Sequence, residues 1–269
     1  MSLLLAAVTP HFPLLHEGIR ETEENPLQNT AIAMQRIAQE CYTTRIKTVV
    51  IIAAHEEQYE RSFGIFAMPQ VQSSYLEFGD GVSCETYPTN LKLISHIIEE
   101  TRKHNVGISA IPLATIHYGS AIPLIPIKKL NKSISVVVIS PPKQCSYDEL
   151  LSFGYLLKEV LYNSNDRTML CVSGETSHAI KKDGLLPYHT TASTAQSRLL
   201  KTLEDLDPSH LYRIEAEKVE KFGMCITKPA AVLLGCLKNT QPHIERLSFE
   251  DYEGVGLATI LYSFNRKPL

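Results

Sequence analysis

Residues 47–53 read KTVVIIA, and residues 135–139 read SVVVI. Both runs are short, continuous and rich in β-branched side chains, with no alternation between apolar and polar residues. Runs of this kind are typical of strands that are buried on both faces, as in the parallel sheets of α/β proteins. They therefore predict a sheet that is covered by helices on each side.

The rest of the chain alternates between strand-like and helix-like patterns. Short apolar runs predict further strands at residues 3–8, 63–68, 108–113 and 169–172. Apolar residues at helical spacing predict helices at residues 31–41, 90–104, 147–162, 190–206 and 229–237. Residues 121–130 are ambiguous, because Pro123 and Pro126 disfavour a helix interior but are compatible with a helix start.

Near the C-terminus, residues 244–249 and 255–262 predict two strands that are close enough to form a hairpin at one edge of the sheet. No linker, low-complexity segment or internal repeat interrupts the chain. We therefore expect an α/β fold with a single domain over residues 1–269. In this fold, helices flank a central, mostly parallel or mixed sheet that carries a C-terminal β-hairpin.

The composition excludes several classes of protein. Hydrophobic residues make up 44% of the 269 positions and charged residues 20%, as in ordinary folded domains. The net charge of −3 is too small to attract nucleic acid, and no apolar run approaches the ~18 residues of a membrane span. We therefore expect no nucleic-acid partner and no membrane association.

The N-terminus and the cysteines indicate the compartment. Residues 1–13, MSLLLAAVTPHFP, lack the basic start of a signal peptide and favour a first strand. The six cysteines include no C-x-x-C pair, and several lie within apolar runs. This pattern is typical of free thiols in a reducing environment, so we expect a cytoplasmic protein.

The histidines are the most informative residues for function. Four of the ten follow strand-like runs, namely His11, His55, His117 and His178. In open α/β sheets, ligands bind beyond the carboxyl ends of the strands, where four such imidazoles can converge. One histidine of this kind is more commonly a loop or capping residue, but four of them favour a shared site. Since imidazole binds Zn, Fe, Cu and Ni, we interpret that site as a metal centre.

Sequence motifs of other enzyme classes are missing. The chain has no G-x-x-x-x-G-K-[ST] or G-x-G-x-x-G sequence for binding phosphates. It also lacks the H-E-x-x-H zinc motif and the G-x-S-x-G nucleophile turn. The histidines therefore remain the main indication of function.

Five motifs, in order along the chain, resemble those of class III (LigB-type) extradiol ring-cleaving dioxygenases. TPHFPL at residues 9–14 resembles the PHxP opening of that family, and VIIAAH at residues 50–55 resembles its hhhISPH strand end. IHYGSAIPL at residues 116–124 resembles DHGxxxPL, and SGETSH at residues 173–178 resembles SGDLSH. CITKPAAVLLG at residues 225–235 resembles CGxxPIxxLL of the Memo-like branch, which includes the AmmeMemoRadiSam system proteins.

The resemblance implies a role for each of the four histidines. His11 and His55 match the two histidines that bind non-haem Fe(II). His178 matches the residue that acts as acid and base, and His117 matches a histidine that lines the substrate pocket. Glu175 replaces the aspartate of SGDLSH and could accept a hydrogen bond from an imidazole. The implied cofactor is Fe(II), with Zn or Cu as alternatives.

The third metal ligand departs from the family pattern. The dioxygenases take a carboxylate from the C-terminal region, whereas the matching residues 220–225 here read EKFGMC. Met224 stands where bacterial relatives of the Memo-like branch have Glu, and Cys225 matches a cysteine that can bind metal. The resemblance thus implies Cys225 as the third ligand, with Glu220 or water as alternatives. Cys225 is also compatible with a buried thiol at a helix start.

Three functional hypotheses follow. The first is a dioxygenase that uses O₂ to cleave a catechol-like ring, or to carry out a related oxidation, on a small aromatic substrate. The second is a Memo-like protein that keeps the fold and binds metal or peptide without cleaving rings. The third is a zinc hydrolase that uses the same histidines. Edge strands of the C-terminal hairpin could also pair across a homo-oligomer.

Overall fold

The structure is a computed structural model that describes residues 2–20, 24–182 and 184–264. Within these residues, eleven strands form two sheets. In chain order the strands are β1 (Leu3–Thr9), β2 (Thr48–Ala53), β3 (Phe63–Phe66), β4 (Gln70–Ser73), β5 (Thr86–Pro88), β6 (Ile108–Ile111), β7 (Thr115–Ile116), β8 (Ser135–Ser140), β9 (Thr168–Ser173), β10 (His243–Tyr252) and β11 (Val255–Ser263).

Four parallel strands form the middle of the larger, eight-stranded sheet, in the order β1, β9, β2, β8. On one side, β8 pairs with antiparallel β3, which in turn pairs with parallel β6. On the other side, β1 pairs with antiparallel β11, and the β10–β11 hairpin forms that edge. The prediction of a mostly parallel, mixed sheet with a C-terminal hairpin is therefore confirmed. The smaller sheet of β4, β5 and β7 was not predicted.

Helices cover both faces of the large sheet. In chain order they are α1 (Gln28–Thr43), α2 (Leu91–Lys103), α3 (Tyr118–Leu130), α4 (Tyr147–Asn163), α5 (Ala192–Asp205), α6 (Ala216–Lys221) and α7 (Thr227–Leu237). Side chains of α1 and α3 belong to one hydrophobic core, and those of α2, α4, α5 and α7 belong to the other. No helix in the described part of the chain is long and apolar enough to cross a bilayer.

The burial of both faces of β2 explains why its sequence is continuously apolar. Val50 and Ile52 pack into the core beneath α4 and α7, whereas Val49 and Ile51 pack into the core beneath α1 and α3. All four side chains are fully buried. Burial on both faces removes the need for polar residues, so the strand-like run of residues 47–53 was interpreted correctly.

Helix α3 resolves the ambiguity of residues 121–130. It begins at Tyr118 and continues through both Pro123 and Pro126. Each internal proline removes a backbone hydrogen bond from the helix. Much of the helix is nevertheless buried against the sheet and α1, including Ile122 and Leu124, and this apolar burial offsets the loss.

Candidate metal centre

The carboxyl ends of the parallel strands bring the candidate ligands together. His11 lies two residues beyond β1, His55 two residues beyond β2, and Glu175 two residues beyond β9. Cys225 lies two residues before α7. One donor atom from each of these four side chains lies within 4.8 Å of the donor atoms of the other three. This edge of the sheet therefore brings two of the four predicted histidines, His11 and His55, together with Glu175 and Cys225.

The separations within this group suit a single metal ion. Glu175 Oε2 lies 2.9 Å from His11 Nε2 and 3.1 Å from Cys225 Sγ. Cys225 Sγ lies 3.9 Å from His11 Nε2. A transition metal binds N, O and S donors at about 2.0–2.3 Å, which places its ligands about 3–4 Å apart. The donor set of two imidazoles, a carboxylate and a thiol therefore fits one bound ion.

His11 is held with one ring nitrogen facing the other donors. Its side chain is 2% exposed, and Nδ1 lies 2.9 Å from Ser173 Oγ. The Ser173 hydroxyl donates its only proton to the carbonyl oxygen of Gly119, at 2.5 Å. Ser173 Oγ must therefore accept a proton from His11 Nδ1, and this contact orients the ring so that Nε2 faces the other donors.

His55 forms the open side of the centre. Its ring lies edge-on to that of His11, with the centroids 5.1 Å apart, while the residue as a whole is exposed. Desolvation of the inward-facing ring, together with the nearby His11 and His178, lowers the pKa of His55 to about 4 despite the opposing effect of Glu175. The imidazole is therefore neutral at neutral pH, which is the form that binds metal.

Glu175 lies at the centre of the group. Its side chain is 2% exposed, and Oε1 accepts the backbone N–H of His11 at 3.0 Å. Burial opposes ionisation, but the adjacent His11 and His178 lower the pKa of Glu175 well below its usual value. The carboxylate accepts a hydrogen bond from the His11 imidazole, as expected, and it also belongs to the group of side chains that could hold a metal, a role that the sequence did not predict. The signal for that second role was its position just beyond a buried parallel strand.

Cys225 forms two hydrogen bonds with Glu175, one as acceptor and one as donor. The backbone N–H of Glu175 donates to Sγ at 3.0 Å, and the thiol donates to Oε2 at 3.1 Å. Burial and the negative charge of Glu175 raise the pKa of Cys225 well above its usual value. A Cβ atom on Gly174 would lie 2.6 Å from backbone atoms of Ile226. Only glycine allows the strand end to approach the cysteine segment this closely.

His117 borders the donor group without joining it. Its Nδ1 accepts the backbone N–H of Gly119 at 3.0 Å and so caps α3. Desolvation, followed by the effects of His55 and His11, lowers the pKa of His117 to about 4. The neutral ring therefore carries its proton on Nε2, which lies 3.5 Å from Glu77 Oε1. His117 can donate one hydrogen bond toward the open side of the centre.

His178 contributes a ring nitrogen with no hydrogen bond to a described residue. Its Nε2 is buried and lies 3.7 Å from Glu175 Oε2. The backbone N–H of His178 donates to the carbonyl of Phe222 at 2.6 Å. Gly223, at φ +60°, lies directly against the His178 ring. These contacts hold the imidazole of His178 beside the donor group.

Tyr118 is a further residue of the site that the sequence did not reveal. Its ring meets that of His11 edge-on, with the centroids 5.6 Å apart, and lies 4.0 Å from the ring of His117. Phe78 packs edge-on against its other side at 4.9 Å. Its place directly after His117, at the start of α3, was the available signal.

Glu220, the alternative third ligand, lies outside the donor group. It is exposed at the end of α6 and lines a cleft with Cys145 and Lys228. The carboxylate that reaches the centre is Glu175. Another histidine, His189, lies near Phe222 with the ring centroids 5.0 Å apart and is outside the donor group.

Comparison with known proteins agrees with this architecture. Protein CA_C1420 of Clostridium acetobutylicum is 25% identical over 272 residues, which cover 95% of this chain and 56% of that protein. The chain thus spans little more than half the length of this relative. The uncharacterized protein JW3007 from Escherichia coli K12 shares the fold, with a TM-score of 0.69 and 17% identity over 96% of this chain and 99% of that one.

The family assignment rests on a match over most of the sequence. Residues 5–261 match the family described as the catalytic LigB subunit of aromatic ring-opening dioxygenase. The matched range runs from β1 to β11 and includes all four members of the donor group. The chain therefore belongs to the LigB family.

Proposed function

We propose that this protein is a non-haem Fe(II)-type oxidoreductase that uses O₂ to cleave a catechol-like ring or to carry out a related oxidation. The observation that carries the proposal is the convergence of His11, His55 and Glu175, whose donor atoms lie within 4.8 Å of one another. Two imidazoles and one carboxylate are the ligand set of non-haem Fe(II) oxygenases, which leaves positions open for substrate and O₂. Family membership supports the same reaction class.

The bound metal would supply a Lewis acid and a site for O₂ beside a chelated catecholate. Substrate would enter on the side of His55, which is the exposed member of the group. The rings of Tyr118 and Phe78 form an aromatic wall near that side. Such a wall suits a flat aromatic substrate.

His178 is the proposed acid and base. Its Nε2 is held 3.7 Å from Glu175 Oε2 and has no hydrogen bond to a described residue. A nitrogen in this situation can take a proton from a catechol hydroxyl and return it later. His117 would donate a hydrogen bond from Nε2 to a substrate oxygen, because its Nδ1 is already occupied by Gly119.

Oxygen uptake with a panel of catechols tests this function. Protein loaded anaerobically with Fe(II) should consume O₂ with at least one member of the panel. His178→Gln should lower turnover by about 10²–10⁴-fold while metal stays bound. His11→Ala should abolish both metal binding and turnover, and His104→Ala, on the exposed end of α2, should change neither. Stoichiometric iron without O₂ uptake across the panel would contradict the proposed O₂-dependent oxidation.

A second function is favoured by one observation, the presence of Cys225 Sγ in the donor group. Thiolate and imidazole ligands together favour Cu(I) and Zn over Fe(II). The protein would then be a Memo-like metal- or peptide-binding protein that keeps the fold without cleaving rings. Tighter binding of Cu(I) or Zn than of Fe(II), combined with no O₂ uptake, would distinguish this function from the first.

A further inference from the structure

The start of β11 lies against the segment that follows β9 and carries Glu175 and His178. Between these two residues, Thr176 donates its backbone N–H to the carbonyl of Gly256 at 2.9 Å, and Gly256 donates its own N–H to the carbonyl of Ser177 at 2.8 Å. The two hydrogen bonds form an antiparallel bridge between the segments. The backbone that carries Glu175 and His178 is therefore attached to the C-terminal hairpin.

The side chain of Thr176 adds a second contact to this bridge. It is fully buried, and its hydroxyl has two acceptors within reach, the carbonyl of Gly256 at 2.8 Å and Oε1 of Gln196 at 3.1 Å. Gln196 lies on α5 and is only 6% exposed. A polar side chain in the interior needs a hydrogen-bond partner, because an unpaired one is costly. Thr176, Gln196 and Gly256 thus form one buried polar contact beside Glu175 in the chain.

Gly256 leaves the space that this contact occupies. A Cβ atom at this position would collide with both the carboxamide oxygen of Gln196 and the hydroxyl of Thr176. Among the described glycines, a left-handed backbone occurs at residues 79, 223 and 254, so Gly256 is not needed for its conformation. It is needed because a side chain would keep Gln196 and Thr176 from approaching the strand.

We propose that Gln196 and Gly256 are positioning residues for Glu175: together they hold Thr176, and so fix the backbone from which the Glu175 carboxylate reaches the candidate metal centre. The inference rests on the proposed function, because Glu175 is one of the proposed metal donors. It assigns a role at the centre to α5 and to the C-terminal hairpin, neither of which supplies a member of the donor group.

The geometry of the centre is sensitive to the placement of this segment. Glu175 Oε2 lies 2.9 Å from His11 Nε2 and 3.1 Å from Cys225 Sγ. A binding group has to be held within about 0.5 Å of its productive position. Since Thr176 is the next residue in the chain, displacing it should move the Glu175 carboxylate. Residues that orient a metal ligand typically contribute about 10–100-fold to metal affinity.

The variants separate the hydroxyl contact from general packing. Thr176→Val replaces the hydroxyl by a methyl group of similar size, whereas Thr176→Ser keeps the hydroxyl. Gln196→Met removes the carboxamide and keeps an unbranched side chain that adapts to its surroundings. The matched control is Thr202→Val, since Thr202 is also fully buried on α5 but its hydroxyl donates to the carbonyl of Arg198 in the same helix at 2.9 Å.

The first readout is the affinity of the full chain for Zn²⁺, measured by competition with a chelator. Thr176→Val, Gln196→Met and Gly256→Ala should each weaken binding by about 10–100-fold. Thr176→Ser and Thr202→Val should bind as the wild type does. The double variant Thr176→Val/Gln196→Met should be no weaker than the weaker single variant, because both changes remove one contact. Wild-type affinity in Thr176→Val and Gln196→Met, or an equal loss in Thr202→Val, would overturn the inference.

Hydrogen exchange of the metal-free protein separates this inference from the proposed function. In Gln196→Met, the amides of Thr176 and Gly256 should exchange about 2–10-fold faster than in the wild type, which corresponds to the loss of one hydrogen bond. The amide of Val137, in the buried strand β8, is the internal reference. A wild type that binds no Zn²⁺ would refute the proposed function, while faster exchange confined to the bridge would still support the inference. Unchanged exchange at both bridge amides would overturn it.

Discussion

Glu175 and Cys225 exchange two hydrogen bonds: the backbone N–H of Glu175 donates to Cys225 Sγ at 3.0 Å, and the thiol donates back to Glu175 Oε2 at 3.1 Å. In the metal-free protein, the thiol proton therefore lies between two of the four metal donors. A metal that uses both donors must displace that proton. Loading of the centre is thus coupled to ionisation of Cys225.

Metal affinity should depend on pH through Cys225. Burial, and then the charge of Glu175, raise the pKa of this thiol well above its usual value, so it is protonated throughout the neutral range. If binding releases this proton, affinity should rise by about tenfold per pH unit in that range. Chelator competition at several pH values measures the slope. A slope that persists unchanged in Cys225→Ala would show that the proton comes from another group.

The identity of the preferred metal should also depend on Cys225. Replacing Cys225 by serine exchanges a soft sulfur for a hard oxygen, which weakens Cu(I) and Zn binding more than Fe(II) binding. Changing a group that only orients a ligand typically weakens metal affinity by about 10–100-fold. Replacing the ligand itself should therefore weaken Cu(I) and Zn binding by more than about tenfold. Cys145→Ser is the matched control, since its half-buried thiol hydrogen-bonds to the carbonyl of Pro142 outside the donor group. Equal losses in both variants would exclude Cys225 as a ligand.

Gly223 should be needed for the placement of His178. It has φ +60°, and a Cβ atom there would lie 3.0 Å from the Cβ and Cγ atoms of His178. Gly223→Ala should cost about 1–2 kcal/mol in free energy of unfolding and should displace the His178 ring. Gly79→Ala provides the comparison, because its φ is +82° and nothing lies within 4 Å of the added atom. Gly79→Ala should lower the free energy of unfolding through backbone strain alone, and the NMR signals of His178 should not change.

Ionisation of Glu56 should lower the free energy of unfolding as the pH rises. Its side chain is 6% exposed, and both carboxylate oxygens accept the backbone N–H of His117 at 3.1 Å. Burial raises the pKa of Glu56 from 4.5 to about 7, against the smaller effects of its hydrogen bonds. The folded state thus binds this proton more tightly than the unfolded state, and the resulting stabilisation is complete below pH 4.5 and lost as pH rises through about 7.

Glu56→Gln removes this titration. The variant should therefore gain stability relative to the wild type between pH 4.5 and about 7, by at most about 3 kcal/mol. Urea unfolding at several pH values measures the difference. Glu57→Gln, at the exposed neighbouring carboxylate, should follow the wild type. A constant difference between Glu56→Gln and the wild type at every pH would contradict the account.

The parts of the site that follow from local patterns could be predicted from the sequence. His11 and His55 come directly after apolar runs, and parallel strands deliver the residues that follow them to one edge of the sheet. The β-branched run of β2 and the spacing of α4 similarly indicated the α/β fold. In each case the signal lies within about ten residues of the feature that it predicts.

The parts that depend on long-range approach could not be predicted in this way. Glu175 joins the candidate donor group because Gly174 lets the end of β9 lie against Ile226. Cys225 was identified through resemblance, since one cysteine before a helix carries no pattern of its own. The course of α3 was ambiguous because the loss of hydrogen bonds at Pro123 is offset by burial that only the folded chain reveals.

The central claim is that His11, His55, Glu175 and Cys225 hold one metal ion. Its most direct test is the metal content of anaerobically reconstituted protein, compared among the wild type and single alanine variants of these four residues. The account predicts about one ion per chain in the wild type, strong losses for each of the four variants, and full occupancy in His104→Ala. No bound metal in the wild type, or occupancy that is unaffected by His11→Ala and His55→Ala, would contradict it.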